Sequence, residues 1–171
     1  MSLLQRFFPD YHLRSVYDLT PEWLADHGFR ALILDIDNTL VSPNAPADAA
    51  ARAFAARMQA AGIACLALSN NGEERARSFA AGLDWLYLAK AKKPRPEGFR
   101  KAMELLHADP SSTLVVGDQL FTDIYGAHRA SLPALLVDAL DPAHEQPFVR
   151  VKRVLERPLR RAWRRTLKQG R

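Results

Sequence analysis

Residues 31–39, which read Ala-Leu-Ile-Leu-Asp-Ile-Asp-Asn-Thr, constrain the fold of this chain more than any other stretch. Four apolar residues run unbroken from Ala31 to Leu34, and two carboxylates one residue apart follow directly. A short apolar run that stops at polar residues is typical of a strand buried on both faces of a parallel sheet. Side chains alternate along an extended backbone, so Asp35 and Asp37 share one side. At the carboxyl end of the strand they would face the crevice where open α/β sheets bind ligands.

Two neighbouring carboxylates repel each other, so a site that keeps both ionised usually supplies a cation. Hard oxygen ligands of this kind suit Mg²⁺. The alternative is a strand that simply ends in a polar turn, with Asp37 and Asn38 as turn-forming residues. The motifs that follow along the chain favour the first interpretation.

The remainder of the chain alternates short apolar runs with helical patterns. This alternation predicts an α/β fold, a central parallel sheet with helices on both faces and right-handed crossovers. The further predicted strands are residues 63–68, 84–88, 113–116 and 134–137. The predicted helices are a short one that starts at Thr20-Pro21 and ends before Gly28, and then 47–60, 73–81, 97–107 and 122–130. The helical spacing of five apolar residues also predicts an amphipathic opening, formed by Leu3, Leu4, Phe7, Phe8 and Tyr11.

Length and composition favour one soluble domain of 171 residues. The single cysteine, Cys65, excludes an internal disulfide and has no disulfide partner; its apolar neighbours predict that it is buried. We find no signal peptide near Met1 and no apolar stretch of the roughly 20 residues that span a bilayer. The expected location is therefore cytoplasmic.

The charge is distributed unevenly. Residues 149–171 carry ten Lys and Arg against one acid, Glu156, a net charge of +9, whereas the other 148 residues carry a net charge of −4. We therefore divide the chain into an N-terminal segment, 1–30, a catalytic domain, 31–148, and a basic tail, 149–171.

Four polar clusters each follow a predicted strand, and in a parallel sheet they meet at the carboxyl edge. They are Asp35 to Thr39, Ser69-Asn70, Lys92-Lys93 before Pro94, and Gly117 to Asp123. In chain order they read DxDxT, a Ser, a Lys and GDxxxxD. This ordered set resembles the haloacid dehalogenase (HAD) superfamily of phosphotransferases over residues 31–137. The resemblance implies a Rossmann-like fold and a Mg²⁺-dependent phosphatase, which hydrolyses a phosphate monoester through an aspartyl-phosphate intermediate.

The resemblance also implies roles for individual residues. Asp35 would be the nucleophile, Asp37 the general acid and base, and Lys93 the residue that neutralises charge. The bound phosphate would contact Thr39, Ser69, Asn70 and Lys93. Mg²⁺ would be held by Asp35, by Asp118 and by the backbone carbonyl of Asp37, with Asp123 as a supporting carboxylate.

Each of these positions has a simpler interpretation. Ser69 could be a helix N-cap, and it could serve both purposes. Lys92 and Lys93 could be a solvated surface pair, and Lys92 is an alternative to Lys93 as the catalytic lysine. Asp118 could be a turn residue, and Asp123 could lie in the first turn of a helix.

The gaps between motifs leave no room for a cap domain, with 29 residues between Thr39 and Ser69 and 23 between Ser69 and Lys93. An open site favours a phosphate on a bulky substrate, such as a lipid headgroup, a protein or a nucleic-acid end. The capless form and the N-terminal Phe-Phe-Pro-Asp-Tyr stretch resemble subclass IIIA of the superfamily and its YqeG-like subfamily. Relatives in that subfamily imply phosphatidylglycerophosphate as one candidate substrate. Alternatives are a protein or nucleotide phosphatase, or a non-catalytic basic-tailed binding protein.

The basic tail has apolar residues every four positions, which predicts an amphipathic helix that is kinked or restarted at Pro158. These residues are Val151, Leu155, Leu159, Trp163 and Leu167, flanked by Val154 and Ala162. Such a helix could attach the protein peripherally to the anionic surface of the inner membrane, dock on the domain, or be disordered. Nucleic acid is a weaker candidate partner, because one aromatic residue alone is interleaved with the bases. If the tail only attaches the protein, truncation at about residue 148 should leave hydrolysis of a soluble ester unchanged.

Overall fold

The apolar strand that ends at Asp35 lies in the middle of a parallel sheet, as predicted. The computed structural model describes residues 4–169. Its six strands are β1 Tyr11–Leu13, β2 Ala31–Leu34, β3 Ala64–Leu68, β4 Leu86–Leu88, β5 Thr113–Gly117 and β6 Ala134–Val137. Their order across the sheet is β1-β6-β5-β2-β3-β4, and every neighbouring pair is parallel. The chain reverses its direction of progress between β2 and β5, which is where such sheets bind ligands.

Within residues 4–169, six α-helices cover the two faces of the sheet, which confirms the predicted α/β class. They are α1 Pro21–Asp26, α2 Ala49–Ala60, α3 Glu73–Ala81, α4 Pro96–Leu106, α5 Tyr125–Arg129 and α6 Pro147–Gln169. Leu32 of β2 packs in one core with Phe54 of α2. Its neighbour Ile33 packs in a second core with Phe99 of α4 and Trp163 of α6. Alternation along β2 thus supplies both cores, and no cap domain interrupts the described residues 4–169.

The N-terminal segment differs from the predicted amphipathic helix. A short 3-10 turn spans Leu4–Phe7, and Tyr11 then begins β1, a strand that sequence analysis missed. β1 pairs with β6, so that Tyr11 lies opposite Leu135. Backbone pairing with an existing strand outweighs the weak helical spacing of a short segment. Leu3 lies outside the described residues.

The tail is one helix, α6, with Pro158 inside it. Leu159 and Trp163 pack against the second core, as a docked tail would. Of the other residues of the predicted stripe, Ala162 is partly buried, and four are more than half exposed: Val151, Val154, Leu155 and Leu167. The helix is rotated so that Glu156 is buried, where its carboxylate accepts the Phe121 N–H at 3.0 Å. None of the helices in residues 4–169 is long and apolar enough to cross a membrane.

Candidate active site

The two strands at the centre of the sheet bring the first and last motifs together. Asp35 directly follows β2, and Asp118 directly follows β5, its hydrogen-bonded neighbour. The Thr39 hydroxyl lies 3.3 Å from Asp118 Oδ1 and 3.5 Å from Asp35 Oδ2, so it can donate to either carboxylate. Thr39 is buried and does not line the cavity described below. Its position therefore suits a residue that hydrogen-bonds to these two carboxylates.

Lys93 is the buried cation of this cluster. Its Nζ donates to Asp35 Oδ1 at 2.5 Å and to Asp123 Oδ1 at 2.7 Å, and its side chain is 4% exposed. Lys92 is exposed and makes no such contact in the described structure. Gly117 permits the arrangement, because a Cβ there would lie 2.4 Å from the Cβ of Asp123. The GDxxxxD motif therefore needs glycine at this position for a steric reason.

Burial and neighbouring charges shift the protonation equilibria of the cluster. Burial raises the pKa of Asp35 well above its ordinary value, while Lys93 acts in the opposite direction. Burial likewise raises the pKa of Asp118 to about 6, and Arg153 opposes the shift. For Lys93, burial would lower the pKa, but Asp123 and Asp35 outweigh burial and raise it above its ordinary value. The lysine therefore stays charged beside carboxylates that are costly to ionise together.

Three donors bind the carboxylate of Asp37. Its side chain accepts the Asn44 N–H at 2.8 Å, Asn71 Nδ2 at 2.7 Å and Arg75 Nη2 at 2.8 Å. Asp37 still lines the cavity, as do Asn44 and Asn71. The sequence did not predict the ion pair of Asp37 with Arg75, because Arg75 lies in an ordinary helical stretch of α3.

The loop after β3 carries the next motif. Ser69 is buried, lines the cavity, and accepts the Asn71 N–H at 3.0 Å. The N-cap of α3 is Gly72, so Ser69 is not that cap, and a hydroxyl that accepts one bond can still donate another. Asn70 ties this loop to the lysine loop: its Oδ1 accepts the Lys93 N–H at 2.7 Å, and its Nδ2 donates to the Lys93 carbonyl at 3.1 Å.

Helix α6 closes one side of the site, which sequence analysis did not foresee. The guanidinium of Arg153 donates to the carboxylates of Asp118 and of Glu145. Glu145 is itself buried, and Asn38 Nδ2 donates to its Oε1 at 2.7 Å. Arg153 and Glu145 escaped notice because, within the sequence, they are charges of an ordinary basic tail and the loop before it.

Three carboxylates form a group that could hold a metal ion. Asp35, Asp118 and Asp123 each offer an oxygen, and these atoms lie within 4.8 Å of one another. Gln119 Oε1 is also buried and without a hydrogen-bond partner in the described part of the chain, and Gln119 lines the cavity. Several carboxylate oxygens with an unpartnered amide oxygen fit the hard oxygen donors that Mg²⁺ prefers. The carboxylate of Asp37 is not in this group.

A cavity of about 110 Å³ opens above these residues. Its polar wall includes Asp35, Asp37, Ser69, Asn70, Lys93 and Gln119. Phe148, Val149 and Lys152 of α6 form the wall opposite. Small-molecule pockets usually measure about 300 Å³ or more, so this cavity has room for a group of about the size of a phosphate and little more. The remainder of a substrate would have to lie outside, beside α6.

Comparison with known proteins bears on the chemistry of this cavity. The family model described as HAD-hydrolase-like matches residues 90–144. The "Probable phosphatase YqeG" of Bacillus subtilis is 33% identical over 138 residues, which are 79% of this chain and 80% of that protein. The chain belongs to the HAD superfamily, with YqeG as a relative. It is accordingly a hydrolase of a phosphatase family.

Solved structures agree on the fold of this phosphatase. NagD from Escherichia coli K-12 superimposes with a TM-score of 0.53 at 16% identity, over 70% of this chain and 93% of that one. The cobalt-bound deoxy-D-mannose-octulosonate 8-phosphate phosphatase of Haemophilus influenzae gives a TM-score of 0.52 at 14% identity, over 74% and 75%. At such identities the likeness supports the HAD fold alone.

Proposed function

We propose that this protein is a Mg²⁺-dependent phosphatase that hydrolyses a phosphate monoester through an acyl phosphate on Asp35. The observation that carries the proposal is the position of Asp35 on the cavity wall, beside Lys93 and within the three-carboxylate group. A carboxylate at this place can attack phosphorus and split one difficult hydrolysis into two easier steps.

In the first step, a carboxylate oxygen of Asp35 forms a bond to phosphorus and the bond from phosphorus to the ester oxygen breaks. Asp37 supplies the proton that the leaving alkoxide needs. In the second step, Asp37 takes a proton from water, whose oxygen attacks the same phosphorus and releases inorganic phosphate from Asp35. To transfer these protons, Asp37 must exchange one of its present donors, such as Arg75, for the reacting oxygen.

Three residues that line the cavity can donate hydrogen bonds to the phosphoryl oxygens: Lys93, Ser69 and Asn70. Donors placed in advance around these oxygens stabilise charge in the transition state. Asp35, Asp118 and the backbone carbonyl of Asp37 would hold Mg²⁺, with Asp123 in support; when bound, the ion offsets the charge of the phosphate. That offset is needed because the site already contains an excess of carboxylates.

We further propose that the substrate is bulky and lipid-borne, such as phosphatidylglycerophosphate, and that the protein works at the periphery of an anionic membrane. The small cavity leaves most of the substrate outside, beside α6. Phe148 both lines the cavity and is 57% exposed, and Val151, Val154 and Leu155 continue an exposed apolar face from it. Arg150, Arg157 and Arg161 are also exposed on α6 and would contact anionic headgroups.

The nucleophile can be tested with Asp35→Asn. The change preserves the size of the side chain and removes one charge from a crowded carboxylate group, so the fold should persist while turnover falls to background. Phosphate release is measured together with circular dichroism. A beryllium fluoride adduct should form on Asp35 and not on Asp37. Hydrolysis retained by the pure variant would exclude Asp35 as the nucleophile.

The substrate class can be tested by phosphate release from a panel of esters. Its members are lipid phosphates in vesicles, the same headgroups without acyl chains, a phosphopeptide, a nucleotide and a nucleic-acid end. We expect the vesicle-borne lipid to be hydrolysed faster than its soluble headgroup. The reverse order would contradict the lipid proposal while leaving the acyl-phosphate mechanism intact.

A further inference from the structure

Arg153 of α6 occupies one side of Asp118, the carboxylate that follows β5. Its guanidinium donates to Asp118 Oδ2, and its Nη1 donates to the Asp118 backbone carbonyl at 3.2 Å. Arg160 adds a further bond to that carbonyl at 2.7 Å. Asp118 is fully buried, and each of its carboxylate oxygens accepts a hydrogen bond within the protein: Oδ1 from Thr39, and Oδ2 from Arg153.

The same carboxylate belongs to the three-carboxylate group that could hold a metal ion. A guanidinium and a divalent cation at one buried carboxylate repel each other, and the repulsion is weakly screened there. Arg153 already donates to Asp118 Oδ2, so a cation that takes this oxygen must displace the guanidinium. Arg153 therefore stands where it can compete with the ion.

Glu145 gives Arg153 a second place to bind. The side chain of Glu145 is 2% exposed, and Asn38 fixes its Oε1 from the other side. Arg153 Nε donates to both carboxylate oxygens of Glu145, at 2.6 and 2.8 Å. An arginine released from Asp118 would thus keep a buried, hydrogen-bonded partner.

We propose that Arg153 is a built-in competitor of the divalent cation at Asp118, and that cation binding transfers it to Glu145 alone. The proposal rests on the metal site of the proposed function. It links α6 to the metal site, because the ion pair of Arg153 with Asp118 joins this helix to the three-carboxylate group. Arg153 then sets the metal affinity of the site without contacting the substrate.

The direct test is calorimetric titration of Mg²⁺ into substrate-free protein, comparing wild type with Arg153→Gln and Arg157→Gln. Arg157 is the matched control, since it lies one turn further along α6 and is exposed. We expect Arg153→Gln to bind Mg²⁺ at least about tenfold more tightly than wild type, which corresponds to about 1.4 kcal/mol. Arg157→Gln should bind Mg²⁺ like wild type.

The opposite results are equally informative. Weaker binding in Arg153→Gln would show that Arg153 positions Asp118 for the metal, and equal binding in all three proteins would show that it has no influence; either result overturns the proposal. No binding in any protein would overturn the metal site itself, and this inference with it. The absence of Mg²⁺ binding in all three proteins is distinguishable from equal, measurable binding in all three.

A measurement on the wild type does not depend on the folding of a variant. Hydrogen exchange of the backbone amides in residues 149–157 should become faster when Mg²⁺ is added at constant ionic strength, because α6 loses its ion pair with Asp118. Amides of α2, on the other face of the sheet, serve as the internal reference. Unchanged or slower exchange in residues 149–157 would overturn the proposal.

Discussion

Lys93 shows how much of this site depends on a single side chain. It is the buried cation between Asp35 and Asp123, and its backbone is bound by Asn70 of a different loop. The adjacent Lys92 has the same charge and lies in the solvent. Two neighbouring lysines thus have different environments, and Lys93 is the one that contacts the carboxylates of the proposed active site.

We expect Lys93→Met to lower phosphate release by at least about 100-fold, in the range of losses seen when one donor to a developing anion is removed. It should also destabilise the protein, because the carboxylates of Asp35 and Asp123 lose their buried partner. Phosphate release at saturating Mg²⁺ and urea unfolding are the measurements. The control, Lys92→Met, should resemble wild type in both. An inactive Lys92→Met beside an active Lys93→Met would reverse the assignment.

At the scale of elements, α6 has two different faces. One face carries Trp163 and Leu159 into the second core and buries Glu156 against the turn at Phe121. The other face leaves Leu155 and its apolar neighbours in the solvent. Docking and exposure, which the sequence presented as alternatives, therefore hold for different residues of one helix.

We expect Trp163→Ala to lower the free energy of unfolding by about 3 kcal/mol or more, as buried aromatic truncations do. Leu155→Ala removes an exposed side chain and should change it by less than about 0.5 kcal/mol. Urea unfolding of both variants checks the pair. Similar losses would mean that the two faces of α6 are buried alike.

At the scale of the whole molecule, α6 belongs both to the active site and to the basic tail that makes the charge of the chain uneven. The tail carries the excess of basic residues, and its helix is also a wall of the cavity. Removing residues 149–171 would take away Arg153 and Trp163 along with the exposed face. Truncation therefore no longer isolates attachment from catalysis, contrary to the expectation from sequence, and substitutions on the exposed face are the better test.

The double variant Val151→Ser and Leu155→Ser should bind anionic vesicles at least about tenfold more weakly than wild type, because it removes two side chains that burial in lipid would favour. Hydrolysis of a soluble ester should persist. Leu86→Ser with Leu105→Ser is the control, since these leucines are also exposed but lie away from α6. Vesicle co-sedimentation at low and high salt measures binding. If both double variants bind vesicles like wild type, the exposed apolar face of α6 does not contact the membrane.

The sequence by itself determined the central part of the fold and the edge of the sheet at which the four polar motifs meet. The apolar run before Asp35 is typical of a strand that is buried on both faces. The alternation of strands and helices along the chain implies that the strands pair in parallel. Parallel pairing then brings the residues after β2, β3, β4 and β5 to one edge. Ser69, Lys93 and Asp118 meet there because each follows a strand, and the carboxyl ends of parallel strands lie at the same edge of the sheet.

The tertiary structure alone decided which partners those residues have. Three such contacts join segments far apart in the chain: the pairing of Tyr11 with β6, the ion pair of Lys93 with Asp35, and the ion pair of Asp37 with Arg75. The contact of Arg153 with Asp118 depends on the rotation of α6, which the burial of Glu156 helps to set. Periodicity shows that a helix has an apolar stripe, but the direction in which the stripe points follows from long-range packing and charge pairing, and these exist only once the chain has folded.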